Sequence, residues 1–346
     1  MQSSAPATGR QPATFLPPKL LGLHAFTNRA GWAAMLVAAP VLAIPQSAQA
    51  FQVFACEPEW AALVRVLKPD ADIRSATHAR QDPHHIEARP SLIAALRRAD
   101  LAVCTGAALE AGWLPMLQRR AGNPAVQDGS PGMFYAASHV RLIGGHEGLV
   151  TPFDGDVHPE GNPHLHLDPE RIATVAGALS RRLQKLLPAE AEAIGQRHER
   201  WQAHWQAELT RWQQQRAALQ GMAVVVQHGT FAYLWQWLGI EPVADLEPKP
   251  GLPPTPGHLQ RVLSATKHQA PEAIVTALYQ DTRPSRWLSQ QLPKQPPVLH
   301  LPASPTEGQD GEAPDLTSLF QRILDQLTAA RARTGSTGAD REDTGA

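Results

Sequence analysis

Residues 51–67 read FQVFACEPEWAALVRVL, a short apolar run typical of a strand followed by a run with helical periodicity. The same order repeats directly afterwards, with a short strand over 72–76, a helix over 91–98 and a strand over 101–105. Strands that alternate with helices favour an α/β fold with a mainly parallel sheet and helices on both faces. In such sheets ligands bind beyond the carboxyl ends of the strands.

Composition narrows the class of protein. The chain has 346 residues and a formal net charge of −1, so nothing in its charge favours a nucleic acid partner. Its 32 prolines follow no repeat and cluster in connectors such as 247–254. The length favours two domains.

The N-terminus has the features of an export signal. An apolar run over 30–44 leads to Ser47-Ala48-Gln49-Ala50, a small-x-small cleavage pattern, so residues 1–50 are predicted to be a signal peptide cleaved near Ala50. A membrane helix is the alternative. The run is shorter than the roughly 20 residues needed to span a bilayer, and Pro40 and Pro45 interrupt it.

Cys56 and Cys104 are the two cysteines of the chain, and each ends a strand-like run. In an oxidising compartment they could pair, but two buried free thiols fit the sequence equally well, because only geometry decides between them. Neither belongs to a Cys-x-x-Cys pair, which disfavours a thiolate metal site.

A long helix is predicted over residues 188–220, since the segment contains no proline after Pro188 and Trp201, Trp205 and Trp212 fall on one helical face. This spacing favours a buried packing face over a ligand platform. The helix separates an N-terminal α/β lobe, 51–187, from a C-terminal lobe, 221–332. In the C-terminal lobe helix patterns return together with strand-like apolar runs over 223–226 and 273–278. The tail, 333–346, lacks apolar periodicity and is predicted to be disordered.

Four possible metal ligands lie at strand ends or in the loops that follow: His84, His164, His228 and Asp281. Three imidazoles and one carboxylate suit tetrahedral Zn²⁺, whereas Mn²⁺ would favour more carboxylates.

The motifs around these residues resemble those of the periplasmic solute-binding proteins that serve zinc and manganese ABC importers. The similarity runs from Phe51 to about Ala330 and rests on the segments 82–91, 99–113, 162–169, 228–234 and 281–284. It implies two α/β lobes joined by one long backbone helix, with the metal in the cleft between them. It also implies that His84, His164, His228 and Asp281 are the ligands, and that a histidine at 228 instead of glutamate points to zinc.

Several neighbouring residues leave alternatives open. The motifs select His84 over His85 and His164 over His166, while His158 is an auxiliary or transient ligand candidate. The segment from His146 to Glu160 fits a metal-capture loop and a plain solvated loop equally well. Glu87 and Glu110 are candidates for orienting an imidazole, or for surface and capping roles.

We therefore expect a monomeric periplasmic protein that delivers Zn²⁺ to the permease of an ABC transporter in the inner membrane, with a zinc donor chaperone as a further candidate partner. Four protein ligands would leave no open position for a reactive water, so no enzyme activity is expected. The alternatives are a periplasmic metallochaperone, an adhesin-like zinc protein, a manganese-binding homologue and a zinc hydrolase. The hydrolase is disfavoured because the chain has no His-Glu-x-x-His helix.

Overall fold

Two four-stranded parallel sheets, each flanked by helices, organise the fold and confirm the predicted α/β architecture. The computed structural model describes residues 50–145, 155–267, 269–307 and 313–339. The predicted signal peptide therefore lies outside the described residues, apart from Ala50, and so do 146–154 of the proposed capture loop.

The N-terminal sheet has the strand order β2-β1-β3-β4, and every pair is parallel. Its strands are β1 (Gln52–Ala55), β2 (Asp72–Ser75), β3 (Leu101–Cys104) and β4 (Met133–Tyr135). The C-terminal sheet repeats this arrangement in the order β6-β5-β7-β8. Its strands are β5 (Val224–Val226), β6 (Pro242–Asp245), β7 (Ala273–Ala277) and β8 (Val298–Leu301). In each sheet the carboxyl ends of all four strands therefore lie at one edge.

The helices fill the connections between strands and cover the sheets. They are α1 (Pro58–Leu67), α2 (Pro90–Arg98), α3 (Leu114–Ala121), α4 (Pro169–Leu186), α5 (Ala191–Leu219), α6 (Ala232–Leu238), α7 (Pro256–Thr266), α8 (Arg283–Gln291) and α9 (Leu316–Ala339). Helix α4 begins as its sequence predicts, because the Asp168 carboxylate accepts hydrogen bonds from the backbone N–H groups of Glu170 and Arg171.

The long helix α5 spans 29 residues and continues from a 3-10 turn over Pro188–Glu190. It packs against α4 and α9. Trp205 is fully buried on this face, where it stacks on Trp201 and donates a hydrogen bond to the Pro169 carbonyl. The tryptophan stripe is therefore a packing face.

One hydrophobic core continues beneath both sheets. Val53 of the N-terminal sheet, Trp205 of α5, Val224 of the C-terminal sheet and Phe320 of α9 belong to the same buried cluster. Phe320 packs edge-on against Trp205, which joins the closing helix to the long one. The two lobes are thus packed together through α5 and not merely tethered by it.

Cys56 and Cys104 form a disulfide bond, with their Cα atoms 4.8 Å apart. Cys56 directly follows β1 and Cys104 ends β3, and these two strands are paired neighbours. The bond thus joins adjacent strands at their carboxyl ends, which resolves the alternative left open by the sequence.

The last helix is longer than the sequence indicates. Helix α9 continues to Ala339, so residues 333–339 are helical and not disordered, while 340–346 lie outside the described residues. The Thr334 hydroxyl donates to the carbonyl of Arg331, within the preceding turn. Within the described ranges, no helix combines the length and hydropathy needed to span a bilayer.

Candidate metal centre

Three of the four predicted ligands meet in one place. His84 lies in the loop between β2 and α2, His164 precedes the turn that leads into α4, and His228 follows β5. Each offers a ring nitrogen, and these three atoms lie within 4.8 Å of one another. The structure therefore brings together donors from both lobes, at the carboxyl ends of their strands.

His84 is oriented by the carboxylate two residues before it. Its Nδ1 lies 2.8 Å from Asp82 Oδ1, and its side chain is only 7% exposed. Burial raises the pKa of Asp82, but the hydrogen bonds from the side chain and backbone of His84, together with the charges of His84 and His85, outweigh burial and lower the pKa to about 2. Asp82 is therefore an anion that accepts the Nδ1 proton, which leaves the lone pair of His84 on Nε2.

His164 is the most deeply buried of the three, at 2% exposure. Burial, reinforced by the nearby His84 and His228, lowers the pKa of His164 well below its ordinary value, so this imidazole is neutral at pH 7. Its Nε2 is buried and has no hydrogen-bond partner within the described part of the chain. A buried ring nitrogen without a partner is costly unless it has a ligand, and a metal ion would be one.

His228 has an unusual backbone conformation, and a contact with Glu247 orients its ring. Its φ of +67° lies in a region that non-glycine residues rarely adopt, and its N–H donates to Asp245 Oδ1 at 3.2 Å. Its Nδ1 lies 2.9 Å from Glu247 Oε2. Burial lowers the pKa of His228, but the hydrogen bond with Glu247 and the negative charges of Glu247, Asp245 and Asp156 together more than offset burial and raise this pKa.

The charge around the three rings suits a divalent cation. Asp82 and Glu247 lie behind two imidazoles, where they orient the rings without supplying the facing donor atoms. Tyr279 is partly buried, and its hydroxyl shares a hydrogen bond with Thr230. Burial, together with Asp82 and Glu247, raises the pKa of Tyr279, so it adds no charge. Three imidazole nitrogen donors backed by two carboxylates favour a borderline metal such as zinc.

His158 lies beside this group. Its Nε2 is 3.2 Å from the Nε2 of His84, and the two rings have centroids 5.3 Å apart. His158, His164 and His228 line a cavity of about 260 Å³ together with Asn162.

Asp281, the predicted fourth ligand, lies apart from the histidine group in this structure. Its carboxylate is 47% exposed and lies 2.6 Å from Arg283 Nη2. Its second oxygen accepts the Arg283 backbone N–H at 3.0 Å, in the turn before α8. Its role as a ligand remains a prediction from the sequence.

The neighbouring histidines have other roles. The His85 side chain is 70% exposed. His166 is buried, with Nε2 2.7 Å from the Ala303 carbonyl and Nδ1 3.2 Å from Glu59 Oε1. Both ring nitrogens of His166 therefore face protein groups.

The two glutamates considered for orienting an imidazole lie elsewhere. Glu87 is exposed. Glu110 is buried and accepts hydrogen bonds from the backbone N–H groups of Thr105 and Gly106, so it stabilises the turn after β3. Burial raises the pKa of Glu110 to about 7.

The carboxylates that orient the rings are Asp82 and Glu247, which the sequence reasoning did not assign. Asp82 belongs to the Asp-Pro-His motif, and its spacing of two residues from His84 was an available signal. Glu247 lies 19 residues after His228 and is brought to it by β6, which no local pattern indicates.

Comparisons with known proteins identify the family of the chain. The family model described as "ZnuA: Zinc-uptake complex component A periplasmic" matches residues 53–330. No curated protein sequence matches the chain.

Solved structures share the fold at low sequence identity. A crystal structure of ZnuA is 17% identical with a TM-score of 0.65, over 82% of this chain and 99% of that one. A manganese-bound periplasmic metal-binding protein from Candidatus Liberibacter asiaticus is 15% identical with a TM-score of 0.64, over 80% and 98%. A mutant of the laminin-binding adhesin of Streptococcus agalactiae is 18% identical with a TM-score of 0.63, over 80% and 99%.

The family match covers most of the chain and includes all three clustered histidines. The resemblance noted in the sequence is thereby confirmed, and the chain belongs to the ZnuA family of periplasmic metal-binding solute-binding proteins.

Proposed function

We propose that this protein binds one Zn²⁺ in the periplasm through His84, His164, His228 and a fourth protein donor, and delivers it to the permease of an ABC importer in the inner membrane. The observation that carries the proposal is the convergence of three ring nitrogens within 4.8 Å, one of them buried without a partner. The zinc-uptake description of the matching family supports the delivery step.

Zinc is the metal that these donors favour. Imidazole nitrogen suits zinc, whereas manganese prefers carboxylate and water oxygens. One structural neighbour is manganese-bound, so selectivity needs its own measurement. Protein purified without added metal should contain zinc, and competition with a chromophoric chelator should rank Zn²⁺ well above Mn²⁺.

Substitution of the histidines tests the site directly. His84→Ala, His164→Ala and His228→Ala should each weaken zinc binding by about 100-fold or more, since loss of a group that only orients a ligand already costs about 10–100-fold. His204→Ala, an exposed position on α5, is the matched control and should bind as the parent does. Unchanged affinity in two of the three site variants would refute the assignment.

Delivery requires a test in cells. Zinc uptake in a strain lacking this protein should fall and should return with the parent gene but not with the His164→Ala variant. Capture of the permease in a pull-down would separate an importer component from a metallochaperone or an adhesin. The resemblance to an adhesin in fold makes laminin binding a useful counter-assay.

Three further points belong to the same proposal. We expect a monomer, which size-exclusion chromatography with light scattering would check. A zinc donor chaperone would show itself by transferring metal to this protein faster than the donor releases it to a chelator. Four protein ligands leave no open position for a reactive water, so no zinc-dependent turnover of generic esters or peptides is expected.

A further inference from the structure

We propose that His158 is the fourth zinc ligand of this protein, in a site of four imidazoles. This inference rests on the proposed zinc binding and specifies its coordination sphere. It starts from one contact, the 3.2 Å that separates the Nε2 atoms of His84 and His158.

That distance matches shared coordination. Zn–N bonds of about 2.0–2.1 Å in a tetrahedron separate neighbouring nitrogens by about 3.3–3.4 Å. Because Asp82 accepts the Nδ1 proton of His84, the His84 Nε2 carries a lone pair directed at His158. A cation between the two rings would use both lone pairs.

His158 also faces the rest of the site. It lines the same cavity as His164 and His228. The centroid of its ring lies 5.3 Å from that of the His84 ring. Asp281, by contrast, is exposed and bonded to Arg283.

The segment that carries His158 is fastened to the opposite lobe. The backbone N–H of Asp156 donates to the Pro250 carbonyl at 2.9 Å. Gly251 next to it donates its N–H to Glu247 Oε2 at 2.7 Å, and that oxygen also lies 2.9 Å from His228 Nδ1. The loop that presents His158 therefore packs on the loop that orients His228.

Two glycines make this close packing possible. A Cβ at Gly155 would collide with the Pro250 carbonyl oxygen, and one at Gly251 would collide with the Asp156 carboxylate. Both residues also have positive φ, of +79° and +74°. The approach of the two loops thus depends on the absence of side chains at these positions.

Counting imidazoles on the metal tests the ligand. X-ray absorption spectra of the zinc-loaded full-length protein should show four histidine nitrogens in the parent and three in His158→Gln. The spectrum of Asp281→Asn should still show four histidine nitrogens. A parent with three imidazoles and one oxygen, with the oxygen lost in Asp281→Asn, would overturn the inference.

Affinity gives an independent measure. By competition with a chromophoric chelator, His158→Gln should bind zinc about 100-fold or more weakly, and Asp281→Asn within about threefold of the parent, given the cost of removing a ligand or its support. If His84→Ala and His164→Ala both bind zinc as tightly as the parent, the proposed function itself fails. If His84→Ala weakens binding but His158→Gln does not, only this inference fails.

A matched glycine pair tests the packing of the loop. Gly155→Ala and Gly129→Ala carry the same backbone strain, with φ of +79° and +80°, but a Cβ at Gly129 meets no atom within 4 Å. Gly155→Ala should weaken zinc binding and Gly129→Ala should not. Equal affinity in the two variants would show that the contact between the loops is irrelevant to metal binding.

Discussion

Glu247 Oε2 lies 2.9 Å from His228 Nδ1 and raises the pKa of this histidine, although burial alone would lower it. The carboxylate thus has two opposed effects on metal binding. It aims the ring, which favours binding, and it also stabilises a proton on the ring, which competes with the metal.

The first prediction concerns pH. His228 in the metal-free protein is protonated below its raised pKa, and zinc must displace that proton, so zinc affinity should fall with decreasing pH from above ~6.5, the ordinary histidine value. In Glu247→Gln the largest of the influences that raise the pKa of His228 is lost, and the fall in affinity should move to lower pH. At pH 8 the same variant should bind about 10–100-fold more weakly, because the ring loses its support.

Chelator competition between pH 5 and pH 8 measures this effect. Glu199→Gln, an exposed position on α5, is the control and should follow the parent curve. A Glu247→Gln curve that parallels the parent at all pH values would contradict the assigned role of Glu247.

The second prediction concerns the backbone of His228. Its φ of +67° with ψ of 158° is a conformation that glycine adopts with little strain. In other residues such a conformation lowers the free energy of unfolding by about 1–3 kcal/mol. Metal-free His228→Gly should therefore have a higher free energy of unfolding than metal-free His228→Ala, by about 1–3 kcal/mol. Urea denaturation of both variants gives the difference.

At His204 the same two substitutions should have the opposite order of stability, with alanine more stable than glycine. His204 lies within helix α5, where glycine is less favourable than alanine by about 1 kcal/mol. If alanine were the more stable residue at 228 as well, the strained backbone would not be a property of the protein.

The third prediction concerns the disulfide between Cys56 and Cys104. Its closure spans a sequence separation of 48 residues, for which chain entropy predicts a stabilisation of about 4 kcal/mol. The Cys56→Ala/Cys104→Ala double variant should unfold at correspondingly lower denaturant concentration. Addition of a phosphine reductant should destabilise the parent protein but leave the double variant unchanged.

The fourth prediction concerns Trp205. Its ring projects from α5 and is fully buried against α4 and α9. Trp205→Ala should therefore lower the free energy of unfolding by about 3–5 kcal/mol. Met116→Ala, at a position 41% exposed, should change it by less than about 0.5 kcal/mol. Similar losses in both variants would contradict the central role of the long helix in the core.

The sequence predicted the interior of the fold better than its edges. Strands β1, β3, β5 and β7 form the centres of the two sheets, and each is an apolar run that was predicted directly. Strands β4, β6 and β8 were not predicted, and all three lie at sheet edges. An edge strand pairs on one side only and can be short or begin with a proline, as β6 does at Pro242, so its periodic signal is weak.

The site shows a similar division. His84, His164 and His228 each stand in a local motif at a strand end, so sequence reasoning could find them. Glu247 depends on a long-range contact, and His158, which the sequence indicated only as an auxiliary or transient ligand, depends on how one loop packs on another. Neither relationship leaves a fixed spacing in the sequence.

The continuous core also limits how the protein can move. To swing the two sheets apart, α5 would have to separate from α4 or α9, and Trp205 and Phe320 would become exposed to water at a cost of about 25 cal/mol per Å² of apolar surface. The loops at the strand ends can change conformation without exposing this core. We therefore expect the described part of the protein to behave as one stiff body, so that metal loading changes the conformation of the loops at the strand ends and leaves the radius of gyration in X-ray scattering unaltered.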